Sequence, residues 1–146
     1  MNKEKVFLDL SALYRLFLGK KELRELLSEK LASKNDYVTS PIVVQELIFS
    51  IDGLNELVAQ LDLEELEKQV ELVPLNYDNI EAAFRENRHD FDRLGLHSND
   101  VVSIVAAEDA KCDYLLTDDE GIIEAVKFDG LKALRPEDFI ESFREN

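Results

Sequence analysis

One stretch decides the fold of this chain: Ser98-Asn99-Asp100-Val101-Val102-Ser103-Ile104-Val105-Ala106-Ala107, continuing to Tyr114-Leu115-Leu116-Thr117-Asp118-Asp119. It predicts a polar cap at Ser98 or Asn99, an apolar helix, a short apolar strand over 114–117 and a group of acids where that strand ends. Strand carboxyl ends and the N-termini of the following helices share one edge of an open α/β sheet. Asp100 and the acids after the strand are therefore expected to face one crevice.

Strand and helix alternate along the rest of the chain as well. Short apolar or β-branched runs, each leading into a helical pattern, predict strands at 5–9, 37–39, 70–75, 114–117 and 131–134. Pro74 interrupts the third of these runs and places it at an edge of the sheet. Such alternation is typical of a parallel sheet with helices on both faces, so the sequence predicts the α/β class.

Two further segments are predicted to be amphipathic helices. Four leucines at helical spacing predict a helix over 22–32 that covers a face of the sheet. Residues 53–70 contain two acidic amphipathic pieces, whose leucines suit either core packing or a face shared with a second copy of the chain.

The length and composition are those of one globular domain, taken as residues 1–146. No apolar run approaches the roughly 20 residues of a membrane span, and the N-terminal apolar run is too short for a signal peptide. The cytoplasm is therefore the expected location, with no membrane partner. The single cysteine, Cys112, excludes an intramolecular disulfide and is expected to be a small buried side chain. His89 and His97 have no second His or Cys at ligand spacing, which argues against a zinc site.

The charge of the chain is strongly acidic, with 17 basic and 32 acidic residues and a formal net charge of −15. Proteins that follow a nucleic-acid duplex usually carry a basic surface, and this chain as a whole does not. Arg85, Arg88 and Arg93 form the best local basic group, although a solvated helix face also explains them. A polyanionic substrate is therefore expected to need bound cations or this local group.

Acids from separate segments are predicted to meet at the carboxyl edge of the sheet. They are Asp9 from the first strand, Glu46 from the helix after the second, Asp100, and Asp118 or Asp119. Two carboxylates about 4 Å apart repel each other by roughly 4 kcal/mol at an effective dielectric constant near 20, so such a cluster needs protonation or a cation. Oxygen ligands without His or Cys favour Mg²⁺ or Mn²⁺, and these ions support phosphodiester hydrolysis.

Each acid also has an ordinary structural explanation. Asp9 and Asp100 suit helix N-termini, and the two acids after the fourth strand suit a turn. Glu46 interrupts a nearly all-apolar helix, where an unpaired carboxylate is costly to bury, but an exposed or arginine-paired side chain also fits there. The arrival of four acids at one edge favours a shared function over separate ones.

Together these motifs resemble the PIN domain family, which includes VapC-type toxins and RNA-processing endonucleases. The resemblance covers essentially the whole chain and rests on four segments: Val6-Phe7-Leu8-Asp9-Leu10-Ser11, Val43-Val44-Gln45-Glu46-Leu47, Asp100 with its alanine-rich helix, and Leu115-Leu116-Thr117-Asp118-Asp119. It implies a three-layer α/β/α fold with a central parallel sheet in strand order 3-2-1-4-5. It also implies a Mg²⁺- or Mn²⁺-dependent endoribonuclease.

The resemblance also implies roles for individual residues. The catalytic acids that it assigns are Asp9, Glu46, Asp100 and Asp119, and the positioning hydroxyl residues are Ser11 and Thr117. The metal ligands are Asp9, Asp100 and Asp119, with Glu46 and Asp118 as further candidates. Successive side chains at a strand end point to opposite sides, so only one of Asp118 and Asp119 is expected to reach the metal. The Thr-x-Asp pattern favours Asp119.

The resemblance therefore predicts an endoribonuclease acting on single-stranded or structured RNA. The toxin of a toxin–antitoxin pair is one form of this function, with an antitoxin protein as partner. The alternative is a catalytically weak or inactive PIN-like module that uses residues 53–70 to bind another protein or to form a homodimer. A phosphoryl-transfer enzyme with Asp9 as nucleophile is not favoured, because the acid/base position two residues later is Ser11.

Overall fold

Five short strands build the central sheet of this protein. The computed structural model describes residues 3–17, 24–50, 64, 67–126 and 130–144. The strands are β1 Glu4–Leu8, β2 Asn35–Thr39, β3 Val70–Leu72, β4 Tyr114–Leu116 and β5 Lys132–Leu134. All neighbouring strands are parallel, and their order is β3-β2-β1-β4-β5. This order confirms the predicted 3-2-1-4-5 topology and the edge position of the third strand.

Helices flank the sheet and complete the predicted α/β/α arrangement. They are α1 Leu10–Phe17, α2 Glu29–Ala32, α3 Pro41–Ser50, α4 Tyr77–Arg93, α5 Ser98–Asp109, α6 Glu120–Ala125 and α7 Pro136–Arg144, with a 3-10 turn at Glu25–Leu27. The consecutive side chains of Val6, Phe7 and Leu8 on β1 are all fully buried. Because successive strand side chains point to opposite faces, both faces of the sheet must be covered.

Three local predictions need correction or fall outside the described residues. The helix expected over 22–32 is broken, because Ser28 has an extended backbone (φ −63°, ψ 154°) and its side chain accepts a hydrogen bond from the Leu31 N–H as the cap of α2. The cap of α5 is His97 rather than Ser98 or Asn99. Most of the region 53–70 lies outside the described residues, so the predicted partner face there stays a prediction.

Hydrogen bonds hold the ends of the central strands together beside the predicted acids. The backbone N–H of Asp9 donates to the carbonyl oxygen of Leu116 at 3.1 Å. The hydroxyl of Thr39 donates to the carbonyl oxygen of Leu8 at 2.8 Å. The carboxyl ends of β1, β2 and β4 therefore form one rigid edge. Within the described ranges, no helix is long and apolar enough to cross a membrane.

Replacement of Lys111 by glycine is expected to stabilise the protein. Lys111 follows α5 with a φ of +58°, and the N–H of Cys112 donates back to the carbonyl oxygen of Ala107 at 2.9 Å. This is the helix ending in which glycine is preferred, because a side chain in the left-handed region costs about 1–2 kcal/mol. Glycine loses more backbone entropy than lysine on folding, and this loss offsets part of the gain. Lys111→Gly should therefore raise the free energy of unfolding by about 0.5–1 kcal/mol.

Urea denaturation measures this change, and Lys111→Ala is the matched control. Alanine removes the lysine side chain but keeps the Cβ atom and hence the strain. A glycine variant that is no more stable than the alanine variant would show that the left-handed backbone costs little here.

Candidate active site

Asp9 lies at the carboxyl end of β1 and is the most buried of the predicted acids, with 7% of its surface exposed. Each carboxylate oxygen accepts a hydrogen bond from one hydroxyl group. Ser103 on α5 donates to Oδ1 at 3.1 Å, and Thr117 after β4 donates to Oδ2 at 2.9 Å. Both hydroxyl residues are themselves buried. The two hydrogen bonds fix the orientation of the carboxylate and satisfy a charged group that would otherwise be costly to bury.

Asp100 is the third residue of α5, and its side chain completes the cap that begins at His97. Its Oδ2 atom accepts the backbone N–H of His97 at 2.9 Å. This bond explains why α5 is capped one residue earlier than the sequence predicted. The negative side chain also lies beside the positive end of the helix dipole. Asp100 is thus held at the N-terminus of α5, at the same edge of the sheet as Asp9.

Glu46 projects from α3 and is partly buried. Its carboxylate accepts a hydrogen bond from the side-chain amide of Asn99 on α5. This contact joins α3 to the N-terminus of α5, next to Asp100. Glu46 therefore has an amide partner rather than the arginine partner that was its structural alternative.

The two acids after β4 have different surroundings. Asp118 pairs with Arg15, whose Nη1 atom lies 2.8 Å from Oδ2, and with Arg135. Asp119 caps α6, because its Oδ1 atom accepts the N–H of Ile122 at 3.1 Å, and its own N–H donates to the Thr117 hydroxyl at 3.1 Å. Asp118 therefore faces two guanidinium groups.

The predicted acids influence one another electrostatically. Burial raises the pKa of the Asp9 carboxyl, and the nearby charge of Asp100 raises this pKa further against the opposing hydrogen bonds. Burial also raises the pKa of Glu46, with added repulsion from Asp9 and Asp100. Asp100 has a raised pKa because of burial and then of repulsion from Asp119. The structure thus brings Asp9, Glu46, Asp100 and Asp119 into one electrostatic cluster, called here the acidic cluster.

The donor set of the acidic cluster suits a hard divalent cation. It consists of carboxylate oxygens supported by hydroxyls and an amide, without His or Cys donors. In their present conformations, no three His, Cys, Asp or Glu side chains among the described residues enclose a metal ion. Burial, and then repulsion between the acids, raises the pKa values of Asp9, Glu46 and Asp100, and a bound cation would offset that repulsion.

The remaining polar predictions have plain outcomes. The hydroxyl of Ser11 accepts the N–H of Asp118 at 2.9 Å, so it holds the turn after β4 and does not contact an acid of the cluster through that bond. Arg85 and Arg93 are exposed and pair with Glu81 and with an aspartate of their own helix. Cys112 is buried, and this burial raises the pKa of its thiol to about 11, which confirms the small buried side chain.

Sequence reasoning missed four residues around the cluster: Ser103, Asn99, Arg15 and Arg135. Ser103 carried a signal, since it is a polar residue in an apolar helical run and lies one turn after Asp100. Asn99 was considered only as a cap. The two arginines lie 103 and 17 residues from Asp118, and no local pattern predicts those pairings.

The metal-free protein is expected to lose stability relative to Asp100→Asn as the pH rises. A raised carboxyl pKa means that the native state binds the proton more tightly than the unfolded chain does. Ionisation of Asp100 therefore costs the native protein no stability well below the usual pKa of about 3.9. The loss of stability grows as the pH rises from there to the raised native pKa, and it is constant above that pKa. Because Asp100 is partly exposed, the difference at neutral pH should be no more than about 1 kcal/mol.

Thermal unfolding of both proteins between about pH 3 and 7.5, with a chelator present, measures this difference. The variant keeps an acceptor for the His97 N–H, so the helix cap is retained. A difference that shrinks as the pH rises would contradict the repulsion in the acidic cluster.

Comparison with known proteins identifies the class of this protein. The PIN domain family matches residues 6–128 of the chain. The chain therefore belongs to the PIN domain family, as the sequence motifs predicted. This membership supports a nuclease role. A search of curated proteins finds no match to this chain.

Several solved structures share the fold. VapBC2 from Rickettsia felis, bound to a DNA fragment from its promoter, is 19% identical with a TM-score of 0.68, over 90% of this chain and 98% of the other. VapBC-1 from nontypeable Haemophilus influenzae is 21% identical with a TM-score of 0.65, over 90% and 98%. VapC20 from Mycobacterium tuberculosis, a Sarcin-Ricin loop cleaving toxin, is 18% identical with a TM-score of 0.64, over 87% and 98%. At these identities the comparison establishes the fold.

Proposed function

We propose that this protein is a single-domain, Mg²⁺- or Mn²⁺-dependent endoribonuclease that hydrolyses phosphodiester bonds of single-stranded or structured RNA. The observation that carries the proposal is the acidic cluster at one edge of the sheet. The Thr117 hydroxyl links Asp9 to the backbone N–H of Asp119, and Glu46 and Asp100 are both held at the N-terminus of α5. Neighbouring carboxylates repel one another, so such a cluster destabilises a protein unless it binds a cation. The chain belongs to a family whose members are generally nucleases, so a cation in this cluster would support phosphodiester hydrolysis.

The residues of the cluster have distinct parts in this proposal. Asp9, Asp100 and Asp119 would hold the cation, which would supply positive charge for the phosphate and lower the pKa of water. The hydroxyls of Ser103 and Thr117 orient the carboxylate of Asp9. Glu46, whose carboxylate accepts a hydrogen bond from the Asn99 amide, would accept a proton from the attacking water or act as a further ligand. Asp118 is left out of the metal site because two arginines engage it.

The structural neighbours favour the toxin form of this function. Four of them carry toxin or VapBC names: the three described above and a toxin–antitoxin complex from Klebsiella pneumoniae. We accordingly assign an antitoxin protein as partner, the cytoplasm as location and RNA as substrate. The net charge of −15 suits a basic antitoxin segment, and it also means that RNA binding should depend on the bound cation.

The proposal is tested by incubating labelled single-stranded and hairpin RNA with the purified protein. Cleavage is expected with Mn²⁺ or Mg²⁺. No cleavage is expected in a buffer without divalent cations that contains a chelator. Calorimetric titration of the metal-free protein with Mn²⁺ should show binding. RNA that is cut equally well in the chelator, or a protein that neither binds Mn²⁺ nor cuts any RNA, would overturn the proposal.

A non-catalytic interaction module is the second candidate. It is favoured by large apolar side chains that lie exposed on the described surface, notably Phe49 (72% exposed) and Tyr77 (76% exposed). A folded protein that binds no Mn²⁺ in the calorimeter, yet forms a stable complex or a homodimer, would support this function instead.

A further inference from the structure

The turn between β4 and α6 presents two adjacent acids with opposite surroundings. Asp119 lies beside the acidic cluster, because its backbone N–H donates to the Thr117 hydroxyl at 3.1 Å and that hydroxyl donates to Asp9 at 2.9 Å. Its neighbour Asp118 faces Arg15 and Arg135. A shift of this turn by one residue would exchange the two acids, since successive side chains point in opposite directions. Something must therefore hold the turn in register.

Both backbone polar groups and the side chain of Asp118 are engaged. Its backbone N–H donates to the Ser11 hydroxyl at 2.9 Å, and its carbonyl oxygen accepts Nη1 of Arg135 at 3.2 Å. Nη1 of Arg15 lies 3.1 Å from Oδ1 and 2.8 Å from Oδ2 of the carboxylate. Nη1 of Arg135 lies 3.7 Å from Oδ1. Charge-assisted bonds of this kind are among the stronger polar contacts in proteins.

Each arginine is anchored at a second point. Arg15, on α1, also pairs with Glu137 of α7, and Arg135, between β5 and α7, also pairs with Glu120 of α6. The side chains of Arg15 and Asp118 are each only 28% exposed, so their attraction is screened less than that of a surface pair. Together, these paired side chains comprise two guanidinium groups and three carboxylates, those of Asp118, Glu120 and Glu137. They therefore have no excess positive charge with which to bind a phosphate.

We propose that Arg15, Asp118 and Arg135 form a positioning clamp that fixes the turn after β4 so that Asp119 faces the acidic cluster. In this proposal the three residues are neither metal ligands nor substrate contacts. Their effect on cleavage acts through the placement of Asp119, which rests on the proposed function. Their effect on the rigidity of the turn does not.

The first measurement uses the metal-free protein and needs no activity. Amide hydrogen exchange of the segment 117–122 should be about tenfold faster in Arg15→Gln than in wild type, because the carboxylate of Asp118 loses its principal partner. Arg135→Gln is the second variant and should show the same change if Arg15→Gln folds poorly. Arg144→Gln is the matched control, since Arg144 pairs with Glu25 and Glu141 away from the cluster. Unchanged exchange in both clamp variants overturns the proposal.

The second measurement concerns catalysis. Arg15→Gln should lower kcat for RNA cleavage by roughly 10–100-fold with little change in KM, as residues that orient metal ligands do. Addition of Asp118→Asn to that variant should cost little more, because both substitutions open the same clamp. Arg15→Gln that raises KM alone would indicate phosphate binding and overturn the proposal. So would an Asp118→Asn variant that loses Mn²⁺ binding as completely as Asp119→Asn.

The two measurements separate the two ideas. A wild-type protein without Mn²⁺ binding or cleavage refutes the proposed function, while the exchange rates still decide whether the clamp exists. A protein that cleaves RNA but shows unaltered exchange in the clamp variants keeps its function and loses the clamp.

Discussion

Asp100→Asn is expected to lower Mn²⁺-dependent RNA cleavage by at least about a hundredfold while the protein remains folded. The substitution removes one of the charges that would hold the cation, yet it keeps an oxygen that accepts the N–H of His97. The helix cap therefore survives, and loss of cleavage cannot be attributed to unfolding. Single-turnover cleavage of labelled RNA, with calorimetric titration of Mn²⁺, gives the rate and the affinity separately.

Asp109→Asn is the matched control for this prediction. It makes the same chemical change at the opposite end of the same helix, where the carboxylate accepts a hydrogen bond from the side-chain amide of Asn79 on α4 at 2.9 Å. Cleavage by this variant should stay within about twofold of wild type, as expected for a surface substitution. Full activity of Asp100→Asn would show that Asp100 is not part of the active site and would contradict the proposed metal site.

Gly121→Ala is expected to destabilise the protein by about 1–3 kcal/mol and to slow cleavage by about tenfold. A Cβ atom at this position would lie 2.8 Å from the backbone carbonyl oxygen of Leu94, 3.0 Å from Oδ1 of Asp119 and 3.0 Å from Cδ2 of Leu96. The carbonyl belongs to the backbone and cannot move aside cheaply, so the start of α6 must shift. Asp119 caps that helix and moves with it.

Thermal unfolding and cleavage rate measure the two effects of Gly121→Ala. Alanine favours a helix over glycine by up to about 1 kcal/mol, which acts against the predicted change. A variant that is more stable than wild type would show that helix propensity exceeds the steric cost. Glu124→Ala, at an exposed position of the same helix, should change stability by less than about 0.5 kcal/mol.

The architecture was predictable because it follows from patterns that are local in the sequence. Each strand is a short apolar run that passes into a helical pattern, and parallel strands of this kind form few topologies. Pro74 was sufficient to place the third strand at an edge, where it lies. The break at Ser28 was missed because the leucine spacing on its two sides is continuous, whereas the serine cap stops the helix between them.

The site was predictable only in part, for a physical reason. The rule that strand ends and helix starts share one edge brings Asp9 and Asp100 together without any knowledge of packing. The choice between Asp118 and Asp119 depends on arginines from distant segments. Pairings of that kind are decided by tertiary structure, so the sequence could offer only the Thr-x-Asp pattern for Asp119. The structure supports that choice through the partners of Asp118.

The pairing of β1 with β4 has a consequence for the order of events during synthesis. The hydroxyl of Thr117 and the carboxylate of Asp9 that it contacts are 108 residues apart in the chain. A growing polypeptide carries Asp9 and Glu46 well before Asp100 and Asp119 exist, and contacts between such distant residues form slowly. On the proposed function, the unfinished chain on a ribosome is harmless to RNA. The proposed cleavage would require that the second half of the protein has been made and has folded onto the first.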